Sequence, residues 1–438
     1  MAVSDRGVNF PRRLDRSIEW RVRAERVVPN GAQTFSKSPM SFVQGIAPNF
    51  LRKAKGAYVW DVDGNRYIDY VMGLGPPILG HADPVVNAAA REQMEEGISF
   101  SLPHPVEVEV AELLCELIPC AEMVRFGKNG SDATAAAVRV ARAYTHRDKV
   151  ACCGYHGWQD WYIGSTNRHQ GVPAVVRSLT LRFPYNDLGA LHRLFRENRD
   201  EIACVVMEPV AFDVPLPGYL EGVKELCHHH KALLVFDEVV TGCRVAIGGA
   251  QEHFGVVPDL ACFGKAIANG FPLSAIVGTD RVMRLFEEVF FSTTHGGETV
   301  SLVACRTTIG ELRRRRGIEQ LWRAGGRLKD GTNTVVEKLN LGESIQCVGL
   351  APLTALRFSV KSERESLLLR SLFQQEALKR GILTQGNHML SLAHEEEIVE
   401  ETLEVYGEVF RLLAEALEQG EVEKRLAGPC IRPILRQV

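Results

Sequence analysis

Two stretches, Ala232-Leu233-Leu234-Val235-Phe236-Asp237-Glu238 and Leu260-Ala261-Cys262-Phe263-Gly264-Lys265-Ala266, decide how this chain folds. Each opens with an apolar run short enough to be one buried strand. The first ends in a carboxylate, the second in a lone lysine set behind a glycine. Working outward, further strands are predicted at 123–127, 149–153, 202–208 and 274–278, with 232–236 and 260–263 among them. Helices at 133–144 and 219–230 separate them. That alternation predicts an α/β fold with a mostly parallel sheet and helices on both faces. Ligands of such sheets sit beyond the carboxyl ends of the strands, where Asp237 and Lys265 fall.

The flanks read differently. Residues 16–28 are predicted as a charged amphipathic helix. The segment 56–70 alternates as a β-hairpin around a two-residue Asp63-Gly64 turn. Helices at 84–97 and 105–118 each open on a proline. After Thr299 a helical stretch runs to about Asn340. A smaller α+β segment follows, with strands at 353–358 and 389–392 and helices at 363–380 and 395–417. At 438 residues the chain exceeds one ordinary core, so two domains are expected.

Composition narrows the function. A formal charge of −3 with 24% charged residues gives no electrostatic reason to expect a nucleic-acid or membrane-surface partner. No apolar run approaches the ~20 residues of a membrane span. The N-terminal Met-Ala-Val-Ser-Asp-Arg lacks a signal-peptide core. Eleven cysteines, an odd number without a C-x-x-C pair, read as reduced thiols, so a cytoplasmic location is expected. His228-His229-His230 diverge around a helix, and no metal site is expected there. Arg313–Arg316 close a helix and complement its dipole. Gly248-Gly249 lacks dinucleotide-fold spacing, and there is no Walker A sequence.

Asn129-Gly130-Ser131-Asp132 lies between a strand and a helix. Glycine and a hydroxyl at a helix start suit an anion such as phosphate, although the same residues also make an ordinary N-cap. Tyr155, within Gly154-Tyr155-His156-Gly157, could lie flat on a heteroaromatic ring, or simply pack in the core; His156 reads equally as a satisfied polar group. Val239 could cover the ring's other face. The cofactor these residues suit is pyridoxal 5'-phosphate. Lys265 would hold its aldehyde and move a proton, and Asp237 would keep its ring nitrogen protonated.

Over about residues 16–420 the chain resembles the class III, fold type I, pyridoxal-phosphate-dependent aminotransferases, and among them the glutamate-1-semialdehyde 2,1-aminomutase group. The resemblance rests on 54–70, Ile78-Leu79-Gly80-His81-Ala82, Val124-Arg125-Phe126, Tyr155-His156-Gly157, Glu208-Pro209, Phe236-Asp237-Glu238-Val239 and Gly264-Lys265-Ala266. It implies a seven-stranded-type sheet in a large domain, 76–325, and a small α+β domain from both termini, 1–75 and 326–438. It also implies a homodimer with shared active sites. Matched to the family, Lys265 is the Schiff-base lysine, Asp237 the pyridinium partner, Tyr155 the stacking aromatic, and Gly130 and Ser131 the phosphate loop. His156 and Val239 join the cofactor site. Gly296-Gly297-Glu298-Thr299 resembles the loop that reaches the neighbouring subunit's phosphate, which brings in Gly297 and Thr299.

The substrate-reading positions depart from the aminomutase pattern. Its Ser-Pro-Val-Arg is Thr34-Phe35-Ser36-Lys37 here, and lysine lacks the two-pronged grip of arginine. An expected tryptophan is Leu74, and an expected glutamate is Gly386. Thr34, Lys37 and Glu208 are the substrate candidates. The resemblance thus implies an aminotransferase acting from a small amino donor onto a ketone or aldehyde, with true aminomutase activity, a racemase or epimerase, and a non-catalytic pyridoxal-phosphate-binding protein as alternatives.

Overall fold

The computed structural model describes residues 13–432, which form two compact units. One comprises 75–79 and 83–319; the described parts of the other are 13–74, 80–82 and 320–432.

The first unit is built on a seven-stranded sheet. Its strands are β1 (Met123–Gly127), β2 (Lys149–Cys153), β3 (Thr180–Arg182), β4 (Ile202–Met207), β5 (Leu233–Asp237), β6 (Leu260–Phe263) and β7 (Ser274–Gly278). The order is β1-β7-β6-β5-β4-β2-β3, and β7 alone runs antiparallel to its neighbours. Strands β4 to β7 are buried at every residue. Their continuous apolar runs are what a sheet covered on both faces requires. Five helices matter for the site: α1 (Pro84–Glu96), α2 (Pro105–Leu117), α3 (Gly130–Thr145), α4 (Tyr219–His229) and α5 (Thr299–Arg314). Helix α3 buries Ala133, Ala136, Ala137, Val140 and Ala141, small residues that let it lie close on the sheet. Each fully buried valine or leucine in this core contributes roughly 1.5–3 kcal/mol. The helical stretch expected from Thr299 to Asn340 is broken: Arg316 takes φ +52°, and a second helix runs Gly317–Lys338. Arg313, Arg315 and Arg316 pair with Glu116, Asp83 and Glu319, as befits a helix end.

In the other unit, strands Leu51–Lys55, Tyr58–Asp61, Arg66–Asp69 and Ile382–Leu383 form one sheet, and Ile345–Leu350, Leu353–Phe358 and Asn387–Met389 another. The hairpin forms, but its turn is longer than expected. Trp60 pairs with Arg66, leaving residues 62–65 as the connection. The Asp61 carboxylate accepts the Asp63 and Asn65 N–H groups at 3.0 and 2.8 Å, which stabilises the longer loop.

This unit also encloses a polar cluster. Tyr70 shares a hydrogen bond with Thr402 (2.8 Å) and stacks on His394, ring centroids 4.6 Å apart. His388 bonds Thr354 through Nδ1 and the Tyr406 hydroxyl through Nε2, both at 2.8 Å. His394 bonds Ser391 and the Asp69 carbonyl, which accepts at 3.2 Å. Burial lowers His388 to about 3 and His394 to about 4.

All eleven cysteines are free thiols; Cys115 and Cys430 are partly exposed and the rest buried. Burial pushes Cys152 and Cys204 up to about 12, which makes them inert. No helix among the described residues is long and apolar enough to cross a membrane.

Candidate active site

Strand β5 delivers Asp237 at its carboxyl end, 5% exposed. One carboxylate oxygen, Oδ1, accepts the Val239 N–H at 3.2 Å, and the other, Oδ2, lies 2.8 Å from His156 Nδ1. The His156 Nε2 atom faces the Cys153 carbonyl at 3.0 Å. A carbonyl only accepts, so Nε2 carries a proton. His156 thus bridges the Asp237 carboxylate and the Cys153 carbonyl. Trp161 stacks on the imidazole at 5.9 Å and Tyr162 meets it edge-on at 5.2 Å, fixing its plane.

Past β6, Gly264 is extended and Lys265 enters a single tight turn in the left-handed region, φ +47°. A lysine in that conformation is strained, and such strain collects at functional sites. Burial lowers the Lys265 ammonium pKa; Glu208 and Asp237 oppose that shift, and Arg244 adds to it. Burial likewise raises the Glu208 carboxyl, with repulsion from Asp237 second. The Tyr155 N–H donates to Glu208 Oε2 at 2.9 Å. Tyr155 itself is 53% exposed, and Tyr162 meets its ring edge-on at 5.6 Å, so a ring face stays open.

The loop from β1 enters α3 through Lys128 and Asn129, whose N–H groups donate to Asp132 Oδ2 at 3.2 and 2.8 Å. The first N–H groups of a helix have no intrahelical partner, and here Gly130 and Ser131 supply them. The cradle around them is tight. A Cβ on Gly130 would lie 2.9 Å from Val239 Cγ1, and one on Gly157 would lie 2.2 Å from Ser131 Oγ. The Trp158 N–H also points at Ser131 Oγ, 3.4 Å away.

The segment before α5 packs inward. Thr299 is fully buried, and its hydroxyl donates to the Gly97 and Ile98 carbonyls at 3.0 and 3.1 Å. A Cβ on Gly297 would collide with the Glu107 carboxyl at 2.6 Å. Within the same stretch Thr293, Thr294 and His295 are exposed. Thr34 and Lys37 belong to the other unit, Thr34 just before and Lys37 at the end of a one-turn helix at Phe35–Lys37. There the Gln385 amide donates to the Ser36 carbonyl, which joins 34–37 to the loop carrying Gly386.

Sequence reasoning missed three groups. Glu238 points inward and accepts the Ala250 and Gln251 N–H groups at 2.8 and 2.9 Å; burial lifts its carboxyl to about 7. Arg244 is almost wholly buried and donates to the Gly75 carbonyl, its pKa lowered by burial to about 10. Lys128 pairs with Glu298, 170 residues away. Adjacency to a motif is a sequence signal for Glu238; distant pairing leaves none.

The residues fit pyridoxal 5'-phosphate: an amine destabilised as its ammonium, a buried acid braced by histidine, an open aromatic face, and a glycine-cleared cradle at a helix start. Together with the sheet they define a fold type I pyridoxal-phosphate enzyme. Residues 43–406 match the class III aminotransferases, and the chain belongs to that family. A 3-aminobutyryl-CoA aminotransferase of Cloacimonas acidaminovorans (strain Evry) is 35% identical over 406 residues, 90% of this chain and 97% of that one. A glutamate-1-semialdehyde 2,1-aminomutase of Roseiflexus castenholzii (strain DSM 13941 / HLO8) is 37% identical over 406 residues, 86% and 93% of the two chains. Among solved structures, the pyridoxal-phosphate form of the Sphingopyxis sp. MTA144 FumI protein superposes with a TM-score of 0.85 at 30% identity, covering 92% of this chain and 97% of that one. The cofactor is pyridoxal 5'-phosphate, and the family uses small-molecule amino donor and acceptor substrates.

Proposed function

We propose that this enzyme is an aminotransferase, taking an amino group from a small donor and passing it through the cofactor to a small ketone or aldehyde. The observation that carries the reading is Lys265: a strained backbone presents an amine whose ammonium form burial disfavours, with Glu208 and Asp237 as its electrostatic partners. When bound, pyridoxal phosphate supplies an aldehyde that carries nitrogen and a ring that takes up electrons. Lys265 then holds the aldehyde at rest and moves the substrate's Cα proton during turnover. Asp237, braced by His156, holds the proton on the ring nitrogen. Tyr155 and Val239 would hold the ring and exclude water. Gly130 and Ser131 bind the phosphate through α3's N–H groups. The anchored stretch holding Gly297 and Thr299 steadies the loop offered to a neighbouring copy in a homodimer. Thr34, Lys37 and Glu208 read the substrate, and the reduced thiols support a cytoplasmic setting.

The relative named for 3-aminobutyryl-CoA supports an external amino compound, distinct from glutamate semialdehyde, as the amino donor. The aminomutase relative, at 37% identity, favours the second reading, isomerisation within glutamate 1-semialdehyde. Against it stand Lys37, Leu74 and Gly386 at substrate-reading positions. The test is a pair of half-reactions. Bleaching of the lysine-bound cofactor's visible band by an amino donor, then recovery with a carbonyl compound, supports the aminotransferase. Conversion of glutamate 1-semialdehyde to 5-aminolevulinate with no donor added supports the mutase instead.

A further inference from the structure

The loop that opens α3 carries a second feature, distinct from the cradle. Lys128 is the last link between β1 and Asn129-Gly130-Ser131, and its ammonium does not turn out to solvent. It lies 2.8 Å from Glu298 Oε2, with the two side chains 17% and 13% exposed. Glu298 is the residue before α5. Its carboxylate accepts the Val300 N–H at 2.7 Å, the Ser301 N–H at 3.3 Å and the Ser301 hydroxyl at 2.6 Å. The carboxylate therefore neutralises the positive end of α5's dipole.

Glu298 is a charged group. Burial works against its ionisation, but the bonds from Lys128, Ser301 and Val300 outweigh that and hold the carboxyl below the ordinary range. Two more acids stand nearby. Glu107 lies against Gly297 and accepts the His104 N–H at 2.9 Å, and Asp132 sits in the first turn of α3. A phosphate monoester carries about −1.5 to −2 at neutral pH. Charges inside a Debye length of about 8 Å, and shielded from solvent, are poorly screened. An uncompensated carboxylate tied to residue 128 would work directly against a phosphate at residues 130–131.

We infer that Lys128 is an electrostatic shield for the cofactor phosphate: it cancels Glu298, so that the carboxylate capping α5 does not repel the anion held at α3. The inference rests on the reading that Gly130 and Ser131 hold the phosphate. Lys128 is a positioning residue in this scheme and touches no reacting atom. A purely structural pair, its side chains only 17% and 13% exposed, would also suffer when one partner goes and recover when both go, but it would act on pyridoxal and pyridoxal phosphate alike. A shield acts on the phosphate-bearing cofactor alone.

The test is a titration of cofactor-stripped protein with pyridoxal phosphate, read as the visible band of the lysine-bound form, alongside pyridoxal, which lacks the phosphate. Lys128→Met is expected to weaken pyridoxal phosphate binding about tenfold, the size of one partly screened charge interaction, and to leave pyridoxal binding unchanged. Glu298→Gln alone leaves binding equal or tighter. The double variant Lys128→Met/Glu298→Gln returns to within about threefold of the original protein, and Lys128→Arg matches it. The shield is overturned if Lys128→Met binds like the unaltered protein, if the double variant stays as weak as the single one, or if pyridoxal loses affinity equally. Thermal melting of each variant separates a folding defect from a binding one, and the double variant then decides. An unaltered protein that takes up no pyridoxal phosphate overturns the site assignment itself, which is a different result from uptake that ignores Lys128.

Discussion

Two buried polar clusters, one in each unit, look alike in chemistry and differ in what they are built to do. The group around Tyr70, His388, His394, Thr402 and Tyr406 closes on itself, each hydroxyl and imidazole meeting a partner in the same unit. The group around Lys265, Asp237, His156 and Glu208 does not. It has a strained lysine, a half-exposed aromatic ring, and glycines at 130 and 157 where a Cβ would collide with the cradle. Shifted titration marks both clusters. Strain and cleared space mark only the second, and those are the signs of a site that receives something.

The sharpest way to break the comparison is a pair of deletions. Lys265→Ala should cut turnover by about a thousandfold or more, the scale expected when a covalent and proton-moving group is lost. Its folding stability should hold or rise slightly, because a desolvated amine is gone while alanine keeps the same backbone strain. His388→Ala should do the reverse: it strands the Tyr406 and Thr354 hydroxyls and costs about 2–4 kcal/mol in urea unfolding. If Lys265→Ala unfolds the protein while His388→Ala leaves stability intact, the contrast between the clusters is lost.

A second, smaller effect concerns backbone space. Gly157 sits at φ +102°, and an added Cβ meets Ser131 Oγ. Gly157→Ala should therefore weaken cofactor binding at least tenfold and lower stability by about 1–3 kcal/mol. Gly64→Ala, also at positive φ but in open space, should cost about 1 kcal/mol and leave cofactor affinity alone.

The pH dependence of stability sharpens the contrast further. His388 and His394 titrate near 3 and 4 when folded and near 6.5 when unfolded, so the unfolded chain gains protons first. Their contribution is present above pH ~6.5 and fades as pH falls toward 4, by up to about 1.4 kcal/mol per imidazole per pH unit. Glu238 has the opposite sign. Its folded value near 7 exceeds the ordinary 4.5, so its contribution is full below 4.5 and is lost as pH rises through 7. Urea unfolding from pH 4 to 8 should show a profile that falls at both ends. Glu238→Gln should flatten the alkaline limb, and a limb that persists unchanged would remove Glu238 from the account.

The sequence carried the core of this arrangement because the chemistry sits at strand ends. Apolar runs ending in Asp237 and Gly264-Lys265 locate the sheet and point to its carboxyl edge. What it hid has physical causes. Strand β3 is three residues long and at the sheet's edge. Strand Ile345–Leu350 alternates buried and half-exposed positions too weakly to stand out. The Asp63-Gly64 turn lengthened because Asp61, three residues before the glycine, supplies its carboxylate to two N–H groups. Glu238 and Lys128 gain their meaning from residues 12 and 170 positions away, which periodicity cannot reach.

The distribution of sulfur has a practical consequence. With nine thiols sealed inside, the two within reach of solvent, Cys115 and Cys430, fall one in each compact unit. Dye pairs attached there through maleimide chemistry would report the separation of the halves by energy transfer, without any engineered handle, while donor and acceptor compounds are added and removed.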